Sequence, residues 1–269
     1  YTSLKQIDPE ADLVSILLAT LRSGTPDKAA KAALAIGGLG AKARSAVPAL
    51  IELLRDSNPN LQLAAVKALG ALGSQAKDAV PPLVQLSSGD DSVRVEIANA
   101  LGSIKAEPQL ALPVLTQLIF DPIPEVRRAA LRAVKAFGQA AKEAAPLIAV
   151  CMGDENEVIR RIAQEVLAAV APQANIVSLI AQVLAETDVK LRERAVMALS
   201  FVTDEPDAAV QLLIEALADE ASTVKARAVL ALGYHQAAAK AAVPSLVEAV
   251  KDRDLEVSWA AMISLSKID

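Results

Sequence analysis

The side chains best equipped for chemistry are arginines gathered in the middle of the chain: Arg127, Arg128, Arg132 and Lys135, then Arg160 and Arg161, then Lys190, Arg192 and Arg194. A guanidinium takes carboxylates or phosphates through a planar fork of N–H donors. Glu125, Glu157, Glu165 and Glu193 are interleaved with the cations and dilute the positive field. An acidic peptide or protein loop therefore suits the cluster better than a nucleic acid. The formal net charge of −5 points the same way, because affinity for a phosphate backbone comes from concentrated Lys and Arg.

Catalytic sets are missing around this cluster. His235 is the one histidine, beside Tyr234 where a helix should end, and a lone histidine caps or packs far more often than it ligates a metal. Cys151 is the one cysteine, which excludes an intrachain disulfide and a thiolate cage and reads as a buried, inert thiol. The chain shows no Gly-rich phosphate loop, no G-x-S-x-G and no credible serine, histidine and aspartate set. Adjacent acids such as Asp90 with Asp91 and Asp219 with Glu220 fall where turns are expected, where capping and solvation account for them. No metal and no cofactor is expected.

The elements that position the arginines follow from a repeat. Prolines recur at Pro48, Pro81, Pro113, Pro146 and Pro244, with steps of 33, 32, 33 and then 98 residues. Aspartates keep the same beat at Asp56, Asp121, Asp154, Asp219 and Asp252. A period of about 20 to 50 residues marks a solenoid whose units pack on their neighbours. Within the second unit, Val47, Leu50, Ile51 and Leu54 form one apolar stripe, and Leu61, Ala65, Ala68 and Leu69 form another. Spacing by three and four makes both segments amphipathic helices. The prolines belong in the first turn of each first helix, where no backbone donor is lost. Gly40, Gly73 and Gly138 close second helices.

The predicted fold is all-α: an α-solenoid, a right-handed superhelix of about eight stacked helix pairs, forming a single array over residues 1–269. The pairs span approximately 7–40, 41–73, 74–104, 105–138, 139–171, 172–202, 203–235 and 236–269. Composition agrees, with 53% hydrophobic residues supplied mostly by alanine and leucine and only 2% aromatic. The uncharged stretch 166–185 contains Pro172, Gln173 and Asn175 at a turn of the repeat, so no membrane span is expected. The chain starts at Tyr1 with no visible leader, and a reducing cytoplasmic setting is expected.

AVPALIELL (46–54), AVPPLVQL (79–86) and AVPSLVEAV (242–250), with the second-helix runs VKALG (66–70), IANALG (97–102) and VLALG (229–233), resemble HEAT repeats of the short bacterial kind also found in phycobilin lyase subunits. The resemblance covers essentially the whole chain. It implies a concave face lined by second helices and a charge ladder between repeats. In that ladder the turn aspartate goes with a basic residue six positions on: Asp121 with Arg127, Asp154 with Arg160 and Asp219 with Lys225. Gln62 and Ser258 interrupt it at both ends. Such arrays serve mostly as binding scaffolds, so a non-catalytic protein- or peptide-binding role is expected. The alternative is a lyase-like enzyme or subunit handling a tetrapyrrole. That reading needs an aromatic, Arg-lined pocket, whereas the six aromatics are scattered along the sequence. Iron-bearing HEAT hydroxylases need His-Glu pairs, and the chain has none.

Two columns of the second helices lie off both the apolar stripe and the ladder. They hold Arg128 and Arg132 in the fourth pair and Arg161 in the fifth. They then change to Glu193 and Met197, to Ala226 and Leu230, and finally to Trp259 and Ile263. Two readings stand. The arginines are either a patch for an acidic partner, centred on Arg128, Arg132 and Arg161, or ladder and solvated surface. The apolar residues Leu230, Trp259 and Ile263 either line a partner groove or fold under the end of the stack. The last helix is apolar at Trp259, Ala260, Met262, Ile263 and Leu265, which predicts end-to-end self-association or further repeats beyond Asp269.

Overall fold

The computed structural model describes residues 9–87 and 89–268. The chain divides into two compact units, residues 1–141 and 142–269. Each consists of antiparallel helix pairs, with no strand among the described residues. In the first unit α1 (Pro9–Ser23) pairs with α2 (Pro26–Gly38), α3 (Val47–Leu53) with α4 (Pro59–Leu72), α5 (Val80–Gln85) with α6 (Asp91–Ile104), and α7 (Pro108–Leu118) with α8 (Pro124–Phe137). The second unit holds α9 (Ala145–Val150) with α10 (Glu157–Val170), and α11 (Ile176–Leu184) with α12 (Val189–Leu199). It continues with α13 (Pro206–Ala216) and α14 (Ser222–Tyr234), then α15 (Val243–Ala249) and α16 (Leu255–Leu265). The fold is an all-α solenoid.

Local chemistry explains these boundaries. Pro48, Pro81, Pro146 and Pro244 stand at the first or second position of α3, α5, α9 and α15. Pro113 does not. It lies inside α7, because that helix already opens at Pro108 after Lys105 and Glu107 take left-handed conformations. Short 3-10 turns, Gly40–Ala46 and Gly73–Ala79, lead into α3 and α5. Each starts at a glycine with φ +57, a region that a Cβ disfavours. The turn between helices is closed by an aspartate side chain: Asp121 Oδ1 accepts from Ile123 N–H at 2.9 Å, and Asp219 Oδ1 from Ala221 N–H at 2.8 Å.

The core of each unit runs between the two helix layers. Ile36, Leu50, Leu69, Leu83, Leu101 and Leu131 are fully buried in the first unit, each contributing about 1.5–3 kcal/mol of apolar transfer. The second helices α2, α4, α6 and α8 lie side by side. Close approach depends on small residues: a Cβ added to Gly102 would come within 2.8 Å of Ala133 Cα.

The second unit is less regular. Helices α12, α14 and α16 form a row like that of the first unit, but α12 also packs on α9 and on the 3-10 turn Cys151–Gly153. A Cβ on Gly153 would meet the Ala198 backbone nitrogen at 2.5 Å. Cys151 is buried in that turn, just past α9, with Sγ 3.4 Å from the Leu147 carbonyl. The uncharged stretch 166–185 is broken between Val170 and Ile176. No helix among the described residues is long and apolar enough to cross a membrane.

Candidate partner-binding surface

The ladder uses the same kinds of residue with a different pairing. Arg127 Nη1–H reaches the Asp121 backbone carbonyl at 2.9 Å and that of Pro122 at 3.0 Å, so the six-residue step is a side-chain clamp on the turn. The Asp121 carboxylate instead takes Arg94 from the preceding pair, through Nε at 2.7 Å and Nη2 at 3.1 Å. Asp219 takes Arg192 in the same bidentate way at 2.8 and 2.9 Å, and Lys225 reaches Asp252 at 2.6 Å. Asp219 and Lys225 thus each join a between-repeat pair, Asp219 with Arg192 and Lys225 with Asp252, and do not pair with one another. Arg192 is anchored through Nη1 to the Glu186 and Thr187 carbonyls, which aims its outer edge away from its own turn and at Asp219 of the next one. Arg160 has the clamp, donating to the Asp154 and Glu155 carbonyls at 2.8 and 3.1 Å. The two residues read as interruptions make a different, uncharged bond, to a carbonyl eight residues back near the end of the first helix: Gln62 donates to Leu54 O at 3.2 Å and Ser258 to Val250 O at 2.7 Å.

Electrostatics follow the pairs. The Arg192 guanidinium holds the Asp219 carboxyl below the usual carboxylate range, and the Lys225 ammonium does the same to Asp252. Arg94 is raised by its bond to Asp121.

Arg128 and Arg132 are exposed one turn apart on α8 of the first unit, and Arg161 is exposed on α10 of the second. The apolar group lies wholly within the second unit. Trp259 is 67% exposed and Ile263 45%, one turn apart on α16. Leu230 is half-buried on the adjacent α14. The reading in which Trp259 and Ile263 fold under the end of the stack is thus set aside.

Sequence reasoning missed two further exposed rings. Phe201 just after α12 is 40% exposed and Tyr234 at the end of α14 is 60% exposed. Phe201 and Tyr234 stand at the C-terminal ends of the adjacent helices α12 and α14, whereas Trp259 lies in the first half of α16. Two of them meet cations: the Arg160 guanidinium lies 4.6 Å from the Phe201 ring centre, and Lys267 Nζ 5.3 Å from that of Tyr234. A signal was available in the column that carries Phe201, Tyr234 and Lys267 at steps of 33 residues. His235 bridges the same row, its Nε2 2.9 Å from the Leu199 carbonyl. No group of three or more His, Cys, Asp or Glu side chains that could hold a metal occurs among the described residues.

A family profile described as HEAT repeats matches residues 14–87, 80–168, 144–233 and 210–269. The chain belongs to the HEAT-repeat family. Among solved structures, this HEAT-repeat chain is similar to the complex of CpcE and CpcF of phycocyanin lyase from Nostoc sp. PCC7120. The two share 24% identity and a TM-score of 0.52 over 95% of this chain and 94% of that one. An engineered protein matches at 23% identity and TM-score 0.52, over 95% of this chain and 78% of its own. The karyopherin Kap121p bound to the extreme C-terminus of the protein phosphatase Cdc14p matches at 17% identity and TM-score 0.53, over 96% of this chain and 34% of its own. At these identities the likeness is one of fold. No curated protein matches the sequence significantly.

Proposed function

We propose that this HEAT-repeat protein is a non-catalytic scaffold that binds a protein or peptide along the exposed face of its second helices. The observation that carries the reading is the exposure of Trp259 with Ile263 beside Leu230, at columns occupied by solvated arginines on α8. Tryptophan and tyrosine held on a rigid helical row anchor interfaces at low entropic cost. Arg128 and Arg132 supply cationic surface for an acidic segment on the first unit, and Arg161 supplies its own on the second. Chemical cross-linking and mass spectrometry on the purified protein in extract, repeated with Trp259→Ser/Ile263→Ser, tests this. Loss of the adducts in the variant is the expected result, and unchanged adducts contradict it.

A second reading has its own observation. Phe201 and Tyr234 are exposed at the ends of α12 and α14, with the Arg160 guanidinium over the Phe201 ring, and the fold is like that of a phycocyanin lyase complex. A lyase-like protein handling a tetrapyrrole would shift the visible band of added bilin, and an unshifted spectrum removes this reading. Cytoplasmic residence is part of the proposal, tested by fractionation of cells expressing the protein.

A further inference from the structure

We propose that Arg160 is a docking point for a carboxylate of the bound peptide, with a neighbouring apolar side chain of that peptide seated on Phe201. This rests on the peptide-binding reading above and names the chemistry of one part of the partner.

Arg160 and Arg192 are built alike at the root. Arg160 Nη1–H donates to the carbonyls of Asp154 and Glu155, and Arg192 Nη1–H to those of Glu186 and Thr187, both at 3.0 Å. In Arg192 this clamp leaves the Nε–Nη2 edge to receive both oxygens of Asp219. Arg94, with Nη1 on Gly89 O at 2.8 Å, presents the same edge to Asp121. Arg160 has the anchor and, among the described residues, no carboxylate on that edge. The fifth and sixth pairs depart from the regular stack, since α12 packs across the turn Cys151–Gly153. That places Phe201, rather than an aspartate, against Arg160.

The consequence is a fork already fixed for a carboxylate. Its plane is held by two carbonyls and a ring, so little side-chain entropy remains to be lost on binding. Arg161 is exposed beside it and adds positive field. Phe201 also borders a cleft of about 190 Å³ whose lining includes Met152, Gln164, Ile176 and Val202, with Asp204 and Glu205 at one side. Small-molecule pockets usually span about 300–1,000 Å³, so this cleft fits one apolar side chain better than a cofactor. The carboxylate of Glu205 on its wall is engaged by Asn175 at 2.6 Å. The occupant is therefore a peptide in which Asp or Glu adjoins Leu or Phe.

The test uses the intact protein and two capped peptides, acetyl-Gly-Asp-Phe-Leu-Gly-amide and its Asn twin, followed by NMR of the arginine Nε–H signals. The Asp peptide is expected to shift the Arg160 Nε–H saturably, and the Asn twin to bind roughly 10- to 100-fold more weakly, the usual worth of a charged hydrogen bond. Arg160→Lys keeps the charge and loses the fork, so the preference for Asp should shrink to a few fold. Equal affinity of the twins for the native protein, or an unmoved Arg160 signal at saturation, overturns the proposal without needing any variant to fold. If Trp259→Ser/Ile263→Ser removes the cross-linked partner while the twins bind alike, the binding face stands and the carboxylate site falls. If neither set of changes has an effect, both fall.

Discussion

Asp219 joins two successive repeats and closes its own turn at once: its carboxylate receives Arg192 Nε–H at 2.8 Å and Nη2–H at 2.9 Å, while Oδ1 also accepts the Ala221 N–H. Asp219→Asn removes the charge from both roles and should cost about 1.5–3 kcal/mol, the range for hydrogen bonds to charged groups. Arg192→Lys keeps the charge but not the fork and should cost less. Urea denaturation of the two single variants and the double variant checks this. The double should lose less than the sum, and full additivity would mean that the pair contributes nothing as a pair.

The same pairs set an acid limit. Asp219 and Asp252 titrate lower folded than unfolded. Their contribution is complete above the ordinary carboxylate value of about 3.9 and is lost as pH falls through it toward the depressed folded values. The difference in Tm between native protein and Asp219→Asn should be constant from pH 7 to about 5 and shrink below about 4. A gap that persists unchanged to pH 2 contradicts the assignment.

Two glycines should respond with opposite sign. A Cβ at Gly102 would press to 2.8 Å on Ala133 Cα, a backbone atom that moves only with its helix, whereas a Cβ at Gly38 would meet nothing within 4 Å beyond its chain neighbours and its own helix backbone. Gly102→Ala should destabilise by about 1–3 kcal/mol despite alanine's better helix propensity. Gly38→Ala should stabilise by about 0.4–1 kcal/mol. Thermal melts of both decide it, and stabilisation by Gly102→Ala would show that α6 and α8 are not in close contact.

Much of this fold was legible in the sequence, because a solenoid writes its geometry as a period. Pro48, Asp121 and Leu69 announce helix start, turn and buried face from spacing alone. Pro113 misled, since Pro108 supplies an earlier start that the proline period hides. The ladder partners were hidden for a different reason. A clamp six residues away and a carboxylate 27 residues away both look like a paired Asp and Arg, and only the direction of the guanidinium separates them. Trp259 and Ile263 could be placed in their columns from sequence, but their exposure depends on how α14 and α16 align.

Leu255 and Met262 are exposed along α16. Val229, the residue of α14 that corresponds to Met262, is buried in the row. We propose end-to-end self-association through this stripe. Light scattering should show mass rising with concentration for the native protein and not for Leu255→Lys/Met262→Lys. A constant monomer mass over a hundredfold range of concentration refutes it.

Binding through the second-helix face is tested most directly by site-specific photo-cross-linking. A benzophenone side chain is placed at position 263 on α16 in one sample, and in another at position 247, an exposed site on the first helix α15. The expected result is a protein or peptide adduct from position 263 that disappears with Trp259→Ser, and no matching adduct from position 247. Equal adducts from both positions, or none from position 263, would contradict a binding face built on Leu230, Trp259 and Ile263.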